Sequence, residues 1–197
     1  MAQAYLSNTY SLLVIGGSAG SLDVVLKILP QLKTGSTMPV IIVMHRKNNH
    51  DFSLSDLLAT KTSWVVMEAE EKQLLRPDHI YLAPADYHLL IENDRTLSLD
   101  VSEKVNYSRP SIDVTYESAA DVYRSELAAL LLSGANDDGV AGMKMIKAVG
   151  GLTIVQDPKT ASVAYMPQHA IANVDIDLVV PADEIGHLIN QLGQPKD

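Results

Sequence analysis

The chain has 197 residues, 47 % of them apolar and 20 % charged, which suits one α/β-sized domain with a large core and excludes long disorder. Its formal net charge of -9 argues against nucleic acid as a partner, because phosphate contacts need a basic face, and the absence of cysteine removes disulfides, thiol nucleophiles and cysteine metal sites. No basic stretch followed by a long apolar one opens the sequence, and no apolar run reaches the length of a membrane span, so a cytoplasmic protein without membrane insertion is expected.

Residues 11–15 read as a buried strand running into Gly16-Gly17. Beyond it Leu22, Val25, Leu26, Leu29 and Leu32 recur at helical spacing, with Pro30 at the fraying end. Residues 39–45 are apolar and β-branched, a second buried strand with His45 at its end. A polar loop over 46–51 leads to a short helix over 52–60 and a strand over 64–67. Glu68, Glu70 and Glu71 form an acidic run that reads as a solvated face. A strand over 79–84 follows, and 88–92 with 96–101, separated by Asn93-Asp94-Arg95, pattern as an antiparallel hairpin. A loop over 105–111 ends in Arg109-Pro110-Ser111 and precedes a helix over 112–124. Residues 126–132 are the most apolar strand and belong near the centre of the sheet; a turn of small residues, Ser133 to Gly139, then opens a helix carrying Val140, Met143 and Ile146. A strand over 152–155, a turn into a short helix over 165–171 with Pro167 in its first turn, a strand over 176–180 and a helix over 182–192 complete a single α/β domain.

The glycines around Ser18 let the backbone turn sharply without Cβ clashes, leaving the hydroxyl at the strand's carboxyl end and facing the free N–H groups of the next helix. That suits a nucleophile with an oxyanion site beside it; the competing reading is a phosphate-binding loop. A dinucleotide fingerprint would need glycine in place of Ser18 and Ser21 and an acidic residue where Met44-His45 stands, and no Gly-Lys-Ser/Thr supplies a Walker pattern. The spacing of Gly16 and Gly20 about Ser18 fits the logic of a nucleophile elbow: strand, exposed serine, helix. Strand carboxyl ends line the ligand crevice of an open parallel sheet, so Ser18 and His45 share a cleft if their strands are neighbours, although a lone histidine there reads first as structural. After the most apolar strand, Asp137 or Asp138 can orient a histidine or merely cap the following helix. Arg109 is either an anion or substrate anchor in the crevice or a surface residue. A serine needs a base to be nucleophilic at neutral pH, and the histidine needs an acidic partner, so Ser18, His45 and Asp138 form a candidate hydrolase set.

As a set, the motifs resemble the catalytic domain of the CheB-type chemotaxis-receptor glutamate methylesterases over nearly the whole chain. The resemblance rests on Ile15-Gly16-Gly17-Ser18, His45 after the second strand, Tyr81-Leu82-Ala83-Pro84-Ala85-Asp86-Tyr87-His88, Arg109-Pro110-Ser111-Ile112-Asp113-Val114, Leu132-Ser133-Gly134 through Asp138-Gly139-Val140-Ala141-Gly142-Met143, and Met166-Pro167 with Ala170-Ile171. It implies an α/β fold, a doubly wound and mostly parallel sheet with helices on both faces and an antiparallel hairpin, and a serine hydrolase with no metal or organic cofactor. Carried over by position, Ser18 is the nucleophile, His45 the general base and acid, and Asp138 rather than Asp137 the residue that orients His45. The Ala135 loop, with Ala19, would supply oxyanion N–H groups, and Asp86 and His88 would sit at the cleft rim as structure or as substrate contacts. The implied reaction is hydrolysis of a glutamate methyl ester on a receptor helix, with deamidation of receptor glutamine by the same route. Implied partners are a methyl-accepting chemotaxis receptor or similar signalling protein, with a separate receiver domain or methyltransferase. The chain departs from the family pattern at Ala19 and Ser21 beside the serine, at Arg46-Lys47 after the histidine and at Ala135. These keep open a catalytically weak or inactive receptor-binding module. Many family members carry a receiver domain and linker ahead of the esterase, whereas about ten residues precede the first strand here, which fits a stand-alone esterase regulated in another way or a fragment of a longer chain.

Overall fold

The computed structural model describes residues 8–46 and 54–195. Most of the predicted loop after His45 and the start of the predicted helix at Phe52 lie outside these residues, as do residues 1–7. Seven strands form one parallel sheet: β1 (Leu12–Gly17), β2 (Val40–Met44), β3 (Val65–Glu68), β4 (His79–Leu82), β7 (Leu127–Leu131), β8 (Leu152–Gln156) and β9 (Leu178–Val180), in the spatial order β3-β4-β2-β1-β7-β8-β9. The antiparallel hairpin pairs β5 (His88–Ile91) with β6 (Leu97–Asp100) as a separate sheet of two strands.

The central strands β1, β2 and β7 are apolar at every position because both faces of the sheet are covered. Leu13 and Ile15 of β1 enter one core with α1 (Ser21–Ile28), α2 (Leu54–Ala59) and α6 (Ile185–Leu192). Leu12 and Val14 enter the other, with α3 (Ile112–Tyr123), α4 (Val140–Ala148), α5 (Tyr165–Asn173) and the hairpin's Leu89, Ile91 and Leu97. This is the doubly wound α/β arrangement, with all seven strands of the main sheet parallel.

Several elements differ from their sequence reading for identifiable reasons. The buried side of α1 is Ser21, Val24, Val25 and Ile28, while Leu22 and Leu26 are half-buried at the core margin; Leu29 and Pro30 belong to a separate 3₁₀ turn. β9 begins only at Leu178, because the Asp177 carboxylate, rather than a backbone carbonyl, accepts from the Thr153 N–H at 3.0 Å and from its hydroxyl at 2.8 Å. α6 begins at Ile185, after a turn closed by a bond from the Glu184 N–H to the Pro181 carbonyl at 3.0 Å.

The chain moves from β1 to β2 on one side, and β7 later returns to pair with β1 on the other. The sheet order therefore reverses beside β1, and a crevice opens at the carboxyl ends of β1, β2 and β7.

Candidate active site

Ser18 follows β1 directly and is half-buried. Gly16 and Gly17, read from sequence as part of the turn, are the last residues of the strand, paired with Val43 and Met44 of β2. They are glycines because of close approach. A Cβ on Gly16 would lie 2.5 Å from Ile112 Cγ2 and 2.8 Å from Tyr116 Oη, and one on Gly17 would lie 2.5 Å from Ser21 Cβ. The left-handed turn comes later, at Gly20 with φ 80°, the N-cap of α1. The Ser18 N–H donates to the Ser133 carbonyl at 2.9 Å, and its carbonyl accepts from the Ser21 N–H at 3.0 Å and the Ser21 hydroxyl at 2.6 Å. Ser21, a departure from the family pattern, thus closes the serine turn with its own side chain.

His45, one residue past β2, turns back over Ser18, with its Nδ1 3.2 Å from Ser18 Oγ. Its Nε2 lies 2.6 Å from Oδ2 of Asp138, which is fully buried. A carboxylate only accepts, so the Nε2–H donates to Asp138 and the Nδ1 lone pair faces the serine hydroxyl. Asp137 is exposed, and Asp138 does not cap its own helix, whose N-cap is Gly139. Asp138 instead covers the N-terminus of α3. It accepts from the Ser111 hydroxyl at 2.8 Å, the Ile112 N–H at 2.8 Å and the Asp113 N–H at 3.0 Å. Burial opposes its ionisation, but the bonds from His45, the two N–H groups and Ser111 outweigh it and hold the carboxyl below its ordinary value.

Asp113 completes a reciprocal arrangement between the two helices: it belongs to α3 but accepts from the Gly142 N–H in the first turn of α4 at 2.8 Å. Desolvation first, and then the neighbouring Asp138 charge against its backbone hydrogen bonds, push this carboxyl up to about 7. Tyr116, also on α3 and fully buried, accepts from the Gly16 N–H at 3.1 Å and donates to the Leu130 carbonyl at 2.7 Å, fastening the helix to the end of the sheet. None of these partners is legible locally. Ser111 reads as a helix N-cap, which it is, but its hydroxyl serves Asp138 instead of its own helix.

Residues 101–109 form the outer wall. The Val105 and Ser108 backbones pair with each other, Asn106 Nδ2 donates to Asp113 at 3.0 Å, and Ser108 Oγ reaches within 3.4 Å of His45 Nδ1. Arg109 braces this wall through NH1, which donates to the carbonyls of Val101 and Ser102 at 2.7 Å each. It also lines a cleft of about 530 Å³ shared with His45, Asp86, Lys104, Tyr107 and Ser108. A second cleft, about 690 Å³, lies on the other side of Tyr107 and Ser108, against Ala135, Asn136, Asp137 and Tyr165. Ala19 and Ala135 are exposed, and their N–H groups bond to no described residue. Asp86 is exposed at the rim, whereas His88 is fully buried. Among the described residues no cluster of His, Asp or Glu could hold a metal ion.

Residues 13–189 match the family model for CheB methylesterase. A protein of Leptospira interrogans, provisionally named a protein-glutamate methylesterase/protein-glutamine glutaminase, is 43 % identical over 185 residues, covering 94 % of this chain and 96 % of the relative. The enzyme of that name from Thermotoga maritima is 34 % identical over 187 residues, which are 92 % of this chain and 54 % of the relative. The crystal structure of the Thermotoga maritima CheB methylesterase catalytic domain superposes with a TM-score of 0.88 at 32 % identity, covering 94 % of this chain and 100 % of that domain.

Proposed function

Since the chain belongs to the CheB methylesterase family of carboxylic ester hydrolases, we propose that it hydrolyses glutamate methyl esters on chemotaxis receptors through Ser18, His45 and Asp138. The observation that carries this reading is the continuous hydrogen-bond line from Ser18 Oγ through His45 to the buried Asp138 carboxylate, at 3.2 Å and 2.6 Å, with His45 on the wall of the 530 Å³ cleft.

The steps follow from the donors and acceptors. Ser18 Oγ attacks the ester carbonyl carbon while its proton passes to His45 Nδ1. The imidazolium formed is stabilised by Asp138, which holds the Nε2–H throughout. The Ala19 and Ala135 N–H groups face the oxyanion. Collapse breaks the carbon–methoxy bond, and His45 returns the proton so that methanol leaves and an acyl-Ser18 remains. Water, deprotonated by the same nitrogen, attacks the acyl carbon; Ser18 recovers its proton and a glutamate carboxylate is released. With a glutamine substrate the leaving group is ammonia, and the second half-reaction is identical.

The test is labelling with a serine-directed fluorophosphonate, located by peptide mapping, together with methanol release from a methyl-esterified receptor fragment. The expected result is stoichiometric labelling at Ser18 that collapses in His45→Ala, and no methanol from a folded Ser18→Ala protein. Methanol release by Ser18→Ala at the native rate would overturn the assignment.

A further inference from the structure

His88, the first residue of β5, is fully buried between the hairpin and the start of α3, and both ring nitrogens are engaged. Nδ1 accepts from the Ser111 N–H at 3.2 Å, and Nε2 lies 3.0 Å from the Glu103 carbonyl. An amide N–H can only donate and a carbonyl can only accept, so the ring is fixed as the neutral Nε2–H tautomer. Ser111 in turn gives its hydroxyl to Asp138 at 2.8 Å. A single line of hydrogen bonds therefore runs from the Glu103 carbonyl through His88, Ser111, Asp138 and His45 to Ser18.

The outer end of this line matters because of where Glu103 sits. The carbonyls of Val101 and Ser102 are held by Arg109, and that of Glu103 by His88, so three successive carbonyls of the cleft wall are tied to side chains. The same wall carries Tyr107, 98 % exposed between the two clefts. An arginine and a histidine hold the wall, but only the histidine also touches a group that binds Asp138.

We propose that His88 is a positioning residue for the reaction, coupling the 101–109 wall to the triad by holding Ser111 where its hydroxyl and the first turn of α3 meet Asp138. This rests on the reading of Ser18, His45 and Asp138 as the catalytic set. Losing the acceptor for the Ser111 N–H leaves a buried donor unpaired and frees Ser111 to turn from Asp138. Losing the donor to Glu103 loosens only the wall. The two halves of the role are separable by substitution: the Asn amide oxygen reaches the Nδ1 position and the Gln amide nitrogen reaches the Nε2 position.

The experiment compares native protein with His88→Asn and His88→Gln. It reads the fluorophosphonate labelling rate at Ser18 and the far-downfield proton resonance of the short His45–Asp138 hydrogen bond. Expected for His88→Gln is labelling about 10–100-fold slower, with the resonance weakened or lost. His88→Asn should keep the resonance and label within about threefold of native, with a raised KM for a receptor-fragment substrate because its wall is loose. Native labelling and an unchanged resonance in a folded His88→Gln overturn the proposal, as does an equal loss in both variants. If neither variant folds, Ser111→Ala removes only the last link, and an unchanged resonance there overturns it as well. A native protein that does not label overturns the nucleophile assignment instead, since the resonance reports the coupling without any turnover.

Discussion

Two buried carboxyls lie at the heart of the site, and they respond to pH in opposite directions. Asp138 is held below its ordinary value, so its contribution to stability is present above about 3.8 and is lost as the pH falls through its depressed folded value. Asp113 is pushed up to about 7 from 3.8. Between those values the folded protein keeps a proton that the unfolded chain has released, so its contribution is full below 3.8 and declines as the pH rises to about 7. Asp113→Asn abolishes the second effect alone. Its amide oxygen can keep the Gly142 bond, and its amide group stands in for the protonated carboxyl beside Asp138. The stability of the variant relative to native, read from urea midpoints, should rise from pH 4 to pH 7 and level off above. A difference that is flat across that window would mean that Asp113 is ionised in the folded protein throughout it.

Helices α3 and α4 present their N-termini to each other's carboxylates, and this requires their backbones to run close together. At Gly142 a Cβ would fall 2.4 Å from Tyr116 Cβ. On an open helix, Gly→Ala gains about 1 kcal/mol of propensity. Here the contact is with the stem of a buried side chain that also bonds Gly16 and Leu130, so it cannot swing aside. Gly142→Ala is therefore expected to destabilise by about 1–3 kcal/mol in urea unfolding, the reverse of the propensity rule. Stabilisation would show that the two helices can part without cost. The same closeness accounts for Gly16, whose added Cβ would meet Ile112 and Tyr116 of α3. Of the glycines that sequence reasoning assigns to turning the chain, Gly16 lets α3 approach, Gly17 makes room for Ser21, and Gly20 alone takes the left-handed turn.

Across the whole molecule, the site stands on the most buried part of the sheet. Every residue of β1, β2 and β7 is buried, whereas the outermost strands β3 and β9 carry Val65 and Val179, each 47 % exposed. Hydrogen exchange should be slowest in β1, β2 and β7, limited by global unfolding, and faster in β3 and β9 through local opening. Uniform protection across the sheet would contradict this ordering. Such a base keeps Ser18, His45 and Asp138 in fixed relation, and the outer wall over 101–109 is fastened to it by Arg109, His88 and Asn106.

Local pattern was enough for the order and type of the strands and helices, though not for the starts of β9 and α6, because two-sided burial writes an unbroken apolar run and one-sided burial writes a helical period. It also sufficed to mark Ser18 and His45 as strand-end residues, and the motif set carried the family. The residues around Asp138 were not legible in this way. Ser18 and His45 are 27 residues apart, and His45 and Asp138 are 93 apart, so their contact depends on β2 and β7 pairing with opposite sides of β1. Ser111, Asp113 and His88 each look locally like a helix cap, a first-turn acid and a strand-end histidine. Their hydrogen bonds cross between elements, and such partners are chosen by tertiary packing: a buried donor or acceptor must find whatever group the fold brings within reach.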